Sequence, residues 1–142
     1  YNNKKLLIIN DSKSTSFSSS IELLKSYPNI YWIVGGKFKK GDKFLLNKKY
    51  YKNINAYIYG KSKYFFEKNF RNKIQYKTFK NIKDALLRIF IDIKKNNLYP
   101  VSIIFSPSAA SFDQFNNFED RGKYFNYLVG KLNIIKKINV RR

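Results

Sequence analysis

The chain has 142 residues, 44% of them hydrophobic and 18% aromatic, with a formal charge of +20 from 29 Lys and Arg against 9 Asp and Glu. That length and apolar content build one globular domain with a real core and exclude a disordered polyelectrolyte. Neither Cys nor His occurs, which removes disulfide frameworks, thiolate zinc sites, cysteine nucleophiles and His-based triads and leaves acid–base work at neutral pH to Asp, Glu, Lys or Tyr.

In chain order, LLIIN at 6–10 reads as a buried strand. Phe17, Ile21, Leu24 and Tyr27 then fall at helical spacing over 17–27. IYWIV at 30–34 is a second strand, closed by Gly35-Gly36, and 56–59 a third, ahead of Gly60. Residues 62–70 read as a helix and 74–76 as a short strand. Asn81 can cap the next helix, with Asp84 three residues on. Ile82, Leu86, Ile89, Phe90 and Ile93 give that helix one apolar face. VSIIF at 101–105 is another buried strand. Asn117 can cap a last helix with Phe118, Phe125, Leu128, Val129 and Leu132 inward, and 133–140 fits either a strand or a helical extension.

Strands that are continuous apolar runs, alternating with helices, predict an α/β fold. The expected form is a Rossmann-like, three-layer domain with a mostly parallel sheet of five or six strands and helices on both faces. No repeat or linker divides it, so 1–142 reads as a single domain. In such sheets ligands bind beyond the carboxyl ends of the strands, which points to the loops 11–16, 35–42 and 106–117.

Each loop admits a binding and a structural reading. Asp11 and Lys13 among hydroxyls suit ribose and phosphate, but Ser, Thr and Asp also cap helices. Gly35-Gly36 followed by Lys37, Lys39 and Lys40 suits an anion, but also a glycine turn with solvated lysines. Gly60-Lys61-Ser62 is not a phosphate loop, because the glycine required five residues earlier is Asn55. The third loop, SPSAASFDQF at 106–115, lies in a stretch from 96 to 122 without a lysine, and holds two of the four alanines. Small residues at 108–111 ahead of a helix can bring backbone N–H groups to a carboxylate or phosphate. The alternative is a tight corner on which another element packs.

The charge has two readings. A surplus of this size fits a basic nucleic-acid-binding module. Only five of the 29 cations are Arg, however, and Lys, Asn, Ile, Tyr and Phe share A/T-rich codons, so compositional drift accounts for it without a specific nucleic-acid partner. Salt-sensitive sticking to polyanions is expected either way. No apolar run has the ~20 residues of a membrane span, and no signal peptide is evident. The lack of any Met, even at position 1, reads as a piece of a longer protein.

NDSKST at 10–15, GGKFKKGDKF at 35–44 and SPSAASFDQFNNFEDRGKYFNYLV at 106–129 together resemble the carboxyl-terminal domain of the Mur ligases, in their D-glutamate-adding branch (MurD). The third block carries the pattern at Ser106, Pro107, Ser111, Asp113, Phe115, Phe118, Arg121, Gly122 and Phe125. Ser16 departs from it, standing where the family usually has Asn, and the match is weak over 45–100 and after 130.

The resemblance implies a domain that closes over a separate ATPase domain in a cytoplasmic, monomeric enzyme of peptidoglycan synthesis. It implies that Asp11 and Lys13 meet the nucleotide and that Thr15, Lys39, Ser111, Phe112 and Phe118 form a D-glutamate pocket, with Lys39 or its neighbour Lys40 on the side-chain carboxylate. It assigns this domain no catalytic residue and no metal ligand. ATP and Mg would be held mainly by another domain, and UDP-MurNAc-L-alanine would be the acceptor of D-glutamate. A degenerate ligase-like domain that binds a partner without catalysis would carry the same residues.

Overall fold

The computed structural model describes residues 1, 5–111 and 114–140. Its elements are β1 (Leu6–Asn10), α1 (Phe17–Ser26), β2 (Ile30–Gly35), a 3-10 segment (Lys48–Asn53), β3 (Ile54–Tyr59), α2 (Lys63–Phe70), β4 (Gln75–Phe79), α3 (Ile82–Asn96), β5 (Val101–Phe105), α4 (Phe118–Lys131) and α5 (Ile134–Val140). The five strands form one sheet in the order β1-β5-β2-β3-β4, and every pairing is parallel.

Alternate residues of the strands feed two cores. On one face Trp32, Val34, Ala56, Ile58 and Ile104 pack with Phe17 and Leu24 of α1 and Phe66 and Phe70 of α2. On the other, Ile33, Tyr57, Ile103 and Phe105 pack with Leu86 and Ile89 of α3, Phe125 and Leu128 of α4 and Ile134 of α5. The domain is therefore a three-layer, Rossmann-like α/β structure. β2 and β5 are buried along their whole length, as central parallel strands must be.

α3 determines the topology. Its 15 residues rise about 22 Å, enough to carry the chain from β4 back across β3 and β2, on which it packs. It delivers β5 into the gap between β1 and β2. The caps are those expected: Asn81 Oδ1 accepts from Asp84 N at 2.8 Å, and Asn117 Oδ1 from Asp120 N at 2.8 Å.

Two expectations change, and one left open is decided. β4 begins one residue later than predicted and runs on to Phe79, and 134–140 resolves as helix. Phe118 does not point inward with Phe125 and Leu128. As the first residue of α4 it precedes the turn that reaches the sheet, and it is 42% exposed.

Candidate functional site

The strand order places β1, β5 and β2 side by side, so the three loops singled out in the sequence leave from three adjacent strand ends. α1 follows β1 onto one face and α4 follows β5 onto the other. Chain segments diverging from neighbouring strands open a crevice at that edge.

The second and third loops are joined directly. Lys37 N donates to Ala110 O at 2.8 Å and Ala110 N to Lys37 O at 2.9 Å, an antiparallel bridge beyond the end of the sheet. Gly35 N donates to Pro107 O at 3.0 Å. The glycines permit this approach. Gly36 has φ +119°, and a Cβ there would stand 2.6 Å from Ala110 O. Phe38 stacks on Phe65 of α2, ring centroids 4.5 Å apart, and so fixes the lysine-bearing stretch on both sides. Asp42 Oδ2 accepts from Phe17 N at 2.9 Å, tying the same loop to the start of α1.

Between these segments lies an open pocket of about 400 Å³ lined by Thr15, Lys37, Phe38, Lys39 and Ala110. Thr15 and Lys39, chosen on separate loops, share it. Lys40 does not line it. Ser111 follows Ala110 directly, is buried, and its carbonyl accepts from Phe115 N at 2.9 Å. Asp11 sits at the end of β1 with its carboxylate accepting from Ser106 Oγ at 2.8 Å, and Lys13 is exposed. Phe118 is not among the lining residues. Phe112 lies outside the described residues.

Two of the four backbone N–H groups at 108–111 are engaged within the protein. Ser108 N already donates to Ser14 Oγ at 3.1 Å and Ala110 N to Lys37. α4 starts only at Phe118, so its N-terminus is not at 108–111. The two alanines divide between the two readings. Ala109 is fully buried against Gly36 and packs in the core, whereas Ala110 lines the pocket.

Two groups that organise this edge escaped the sequence reading as such. Arg121 of α4 is fully buried, and its guanidinium donates to Ala109 O (2.8 Å), Ser12 O (2.6 Å) and Ser14 O (3.3 Å), bracing the first loop against the third. Next to it, Asn10 Nδ2 donates to Gly122 O at 2.9 Å, and a Cβ on Gly122 would come within 2.3 Å of Ser12 Oγ. The second group is a set of buried serines. Ser20 Oγ lies 2.7 Å from Ser14 Oγ, 2.5 Å from Ser106 Oγ and 2.6 Å from Ser108 Oγ. Arg121 and Gly122 do lie in the sequence block quoted above. Ser20 and Asp42 carry no signal in one sequence.

A different polar network lies on the α3 side. Asp92 accepts from Tyr57 Oη (2.7 Å) and Arg88 Nε (3.0 Å), with Lys77 Nζ at 3.3 Å. Burial pushes the Asp92 carboxyl up, but these donors outweigh it and hold it below the usual range. Burial, with Asp92 adding to it, pushes the Tyr57 hydroxyl far above its ordinary value. Among the described residues no three acidic side chains gather where they could hold a metal ion. No helix among them is long and apolar enough to cross a membrane.

A five-stranded parallel sheet with three joined polar loops at its carboxyl edge defines a Rossmann-like α/β domain. No family model matches the chain. Relatives at the level of whole proteins do match. The chain is 39% identical over 129 residues to a UDP-N-acetylmuramoylalanine–D-glutamate ligase of Wolbachia sp. subsp. Brugia malayi, covering 91% of this chain and 26% of that ligase. It is 38% identical over 122 residues to the ligase so named in Wolbachia pipientis wMel, covering 86% and 24%. It is 32% identical over 133 residues to that of Mesorhizobium japonicum, covering 94% and 28%. The chain matches the carboxyl-terminal domain of this ligase, the D-glutamate-adding Mur ligase. It spans about a quarter of the length of the curated relatives it matches.

Proposed function

We propose that the chain is the D-glutamate-binding, ATP-site-closing domain of an ATP-dependent ligase that joins D-glutamate to UDP-MurNAc-L-alanine. The observation that carries this reading is the pocket that Thr15, Lys39 and Ala110 line together. In this reading the acceptor carboxylate takes the terminal phosphoryl group of ATP, giving an acyl phosphate and ADP. The D-glutamate amine attacks the acyl carbon, phosphate leaves, and the amine gives up a proton as the amide forms.

Lys39 and Ser111 hold the side-chain carboxylate of D-glutamate through charge-assisted and neutral hydrogen bonds. Thr15 lines the same pocket, and Phe112 and Phe118 are the remaining D-glutamate contacts that the resemblance implies. Asp11 and Lys13 meet the nucleotide. ATP and Mg are bound mainly by a separate domain of the cytoplasmic, monomeric enzyme, so this domain supplies orientation and electrostatics, not a catalytic residue. The purified 142-residue chain is accordingly inactive, and ADP release from it with both substrates present would refute that.

The spread of basic residues favours the ligase reading over a basic nucleic-acid-binding module. Exposed lysines stand on the helices of both faces, as at Lys25, Lys68, Lys83, Lys94 and Lys123. The test of the pocket is Lys39→Ala in the full-length enzyme. It should raise KM for D-glutamate about ten- to hundredfold, the effect of losing one charge-assisted hydrogen bond, with a smaller change for ATP. Unaltered D-glutamate kinetics would remove Lys39 from the site.

A further inference from the structure

Ser20 sits on α1 with its side chain fully buried, away from the pocket lining. Its hydroxyl meets one serine of the first loop, Ser14, and two of the third, Ser106 and Ser108. A hydroxyl has one proton to give and two lone pairs to accept with, so three partners saturate it. The direction of each bond follows from the end of the chain. Ser106 Oγ donates its proton to the Asp11 carboxylate, so towards Ser20 it can only accept. Ser20 therefore gives its one proton to Ser106 and can only accept from Ser14 and Ser108, whose own protons each have a second acceptor, Ser19 Oγ at 2.9 Å and Ser106 O at 3.3 Å. Ser14 Oγ in turn accepts from Ser108 N. The result is a buried hydroxyl cluster, one branch of which ends on Asp11, in which one residue of a neighbouring helix bonds both loops beside their own direct contacts.

We propose that Ser20 is a positioning residue of the ligase site: it makes the 11–16 and 106–111 loops move as one body and aims the Asp11 carboxylate. This rests on the functional reading above, in which the first loop serves the nucleotide and the third serves D-glutamate. No other side chain described here hydrogen-bonds serines of both loops at once. Arg121 reaches the same loops through their main-chain carbonyls. It can hold their separation without setting the direction of the Asp11 side chain. Trp32 Nε1, at 2.7 Å from Ser106 O, fixes one end of the cluster to β2.

The test uses the full-length protein with Ser20→Ala. A loop pair that is competent only part of the time weakens apparent affinity in proportion. KM should therefore rise about fivefold for both ATP and D-glutamate while kcat stays within about twofold. A residue needed only for stability would lower the amount of active enzyme and leave both KM values alone. Amide hydrogen exchange on the same protein, without substrates, should speed up together in peptides covering 11–16 and 106–111, the Ser108 amide included. Unchanged KM values and unchanged exchange in folded Ser20→Ala would overturn the proposal. If Ser20→Ala does not fold, Ser106→Ala decides. It severs Asp11 from the cluster, so a selective rise in KM for ATP supports the proposal and an unchanged value overturns it. If the parent protein transfers no D-glutamate, the functional reading fails, while faster joint exchange of the two loops still upholds the tie.

Discussion

Arg121→Met separates the guanidinium of Arg121 from its aliphatic stem. The stem's volume is largely kept, so the cavity contribution is small. What goes are the hydrogen bonds to Ala109 O at 2.8 Å and Ser12 O at 2.6 Å, and a longer one to Ser14 O at 3.3 Å. Hydrogen bonds from a charged donor are worth about 1.5–3 kcal/mol each, so the two short ones represent a gross loss of about 3–6 kcal/mol. Relief of the guanidinium's desolvation works in the opposite direction. That relief is incomplete, because the main-chain carbonyls remain and two of them stay buried without this donor. The net loss expected is about 2–4 kcal/mol, within the 5–15 kcal/mol of an ordinary domain.

Trp32 is the single tryptophan, fully buried, and its indole N–H is bonded to the third loop. Its emission during urea unfolding of the 142-residue chain therefore reports the loss. With a slope of about 2 kcal/mol/M, the midpoint should fall by about 1–2 M. A midpoint within about 0.3 M of the parent at equal slope would show that the loops hold each other without the guanidinium, and the bracing argument would fail.

Asp92→Asn removes the carboxylate that gathers Tyr57, Arg88 and Lys77 and should cost about 1–3 kcal/mol near neutral pH. The folded carboxyl is held low, so its contribution is complete above the unfolded value of about 3.9 and is lost as pH falls through the folded value. The urea-midpoint difference between parent and variant should accordingly shrink below about pH 4, and a constant difference would refute the assignment. Gly35→Ala places a Cβ 2.2 Å from Tyr59 O at φ +151°. β2 and β3 would have to part, so the yield of folded chain should collapse or stability fall by more than about 3 kcal/mol. Gly130→Ala, with nothing within 4 Å of the added carbon, should instead stabilise the chain by up to about 1 kcal/mol. Equal urea midpoints for the two glycine variants would contradict this account of β2.

The strands were legible because each central one is covered on both faces and leaves an uninterrupted apolar run. The edge strand β4 was harder. QYKTF has no apolar run, and it is a strand because β3 offers it pairing partners from Asn55 to Tyr59. The 3-10 segment at Lys48–Asn53 gave no signal, since none of its residues is buried. The three site loops could be found from strand ends alone. Their meeting could not, because it depends on β5 inserting between β1 and β2, and chain order does not reveal strand order. Ser20 shows the same limit on a smaller scale. A serine on a polar helix stretch reads as solvated until the loop after β5 is folded over it.

The lysine-free stretch from 96 to 122 can now be divided by cause. From Val101 to Ala109 every residue is buried, and an ammonium there would be costly unless paired. Burial does not explain 116–119, which are exposed. That segment leads into the first turn of α4, which carries Glu119 and Asp120, and a cation at a helix N-terminus opposes the macrodipole. Neither cause covers 96–100, Ala110, Gln114 or Phe115, which are exposed or half-buried and lie outside that helix start. Compositional drift toward lysine thus stops at the core and at a helix start for reasons unrelated to any ligand, so the absence of lysine cannot by itself argue for binding. The case for a site rests on what the folded loops bring together: Thr15 and Lys39, from two separate loops, line one pocket whose third wall is Ala110.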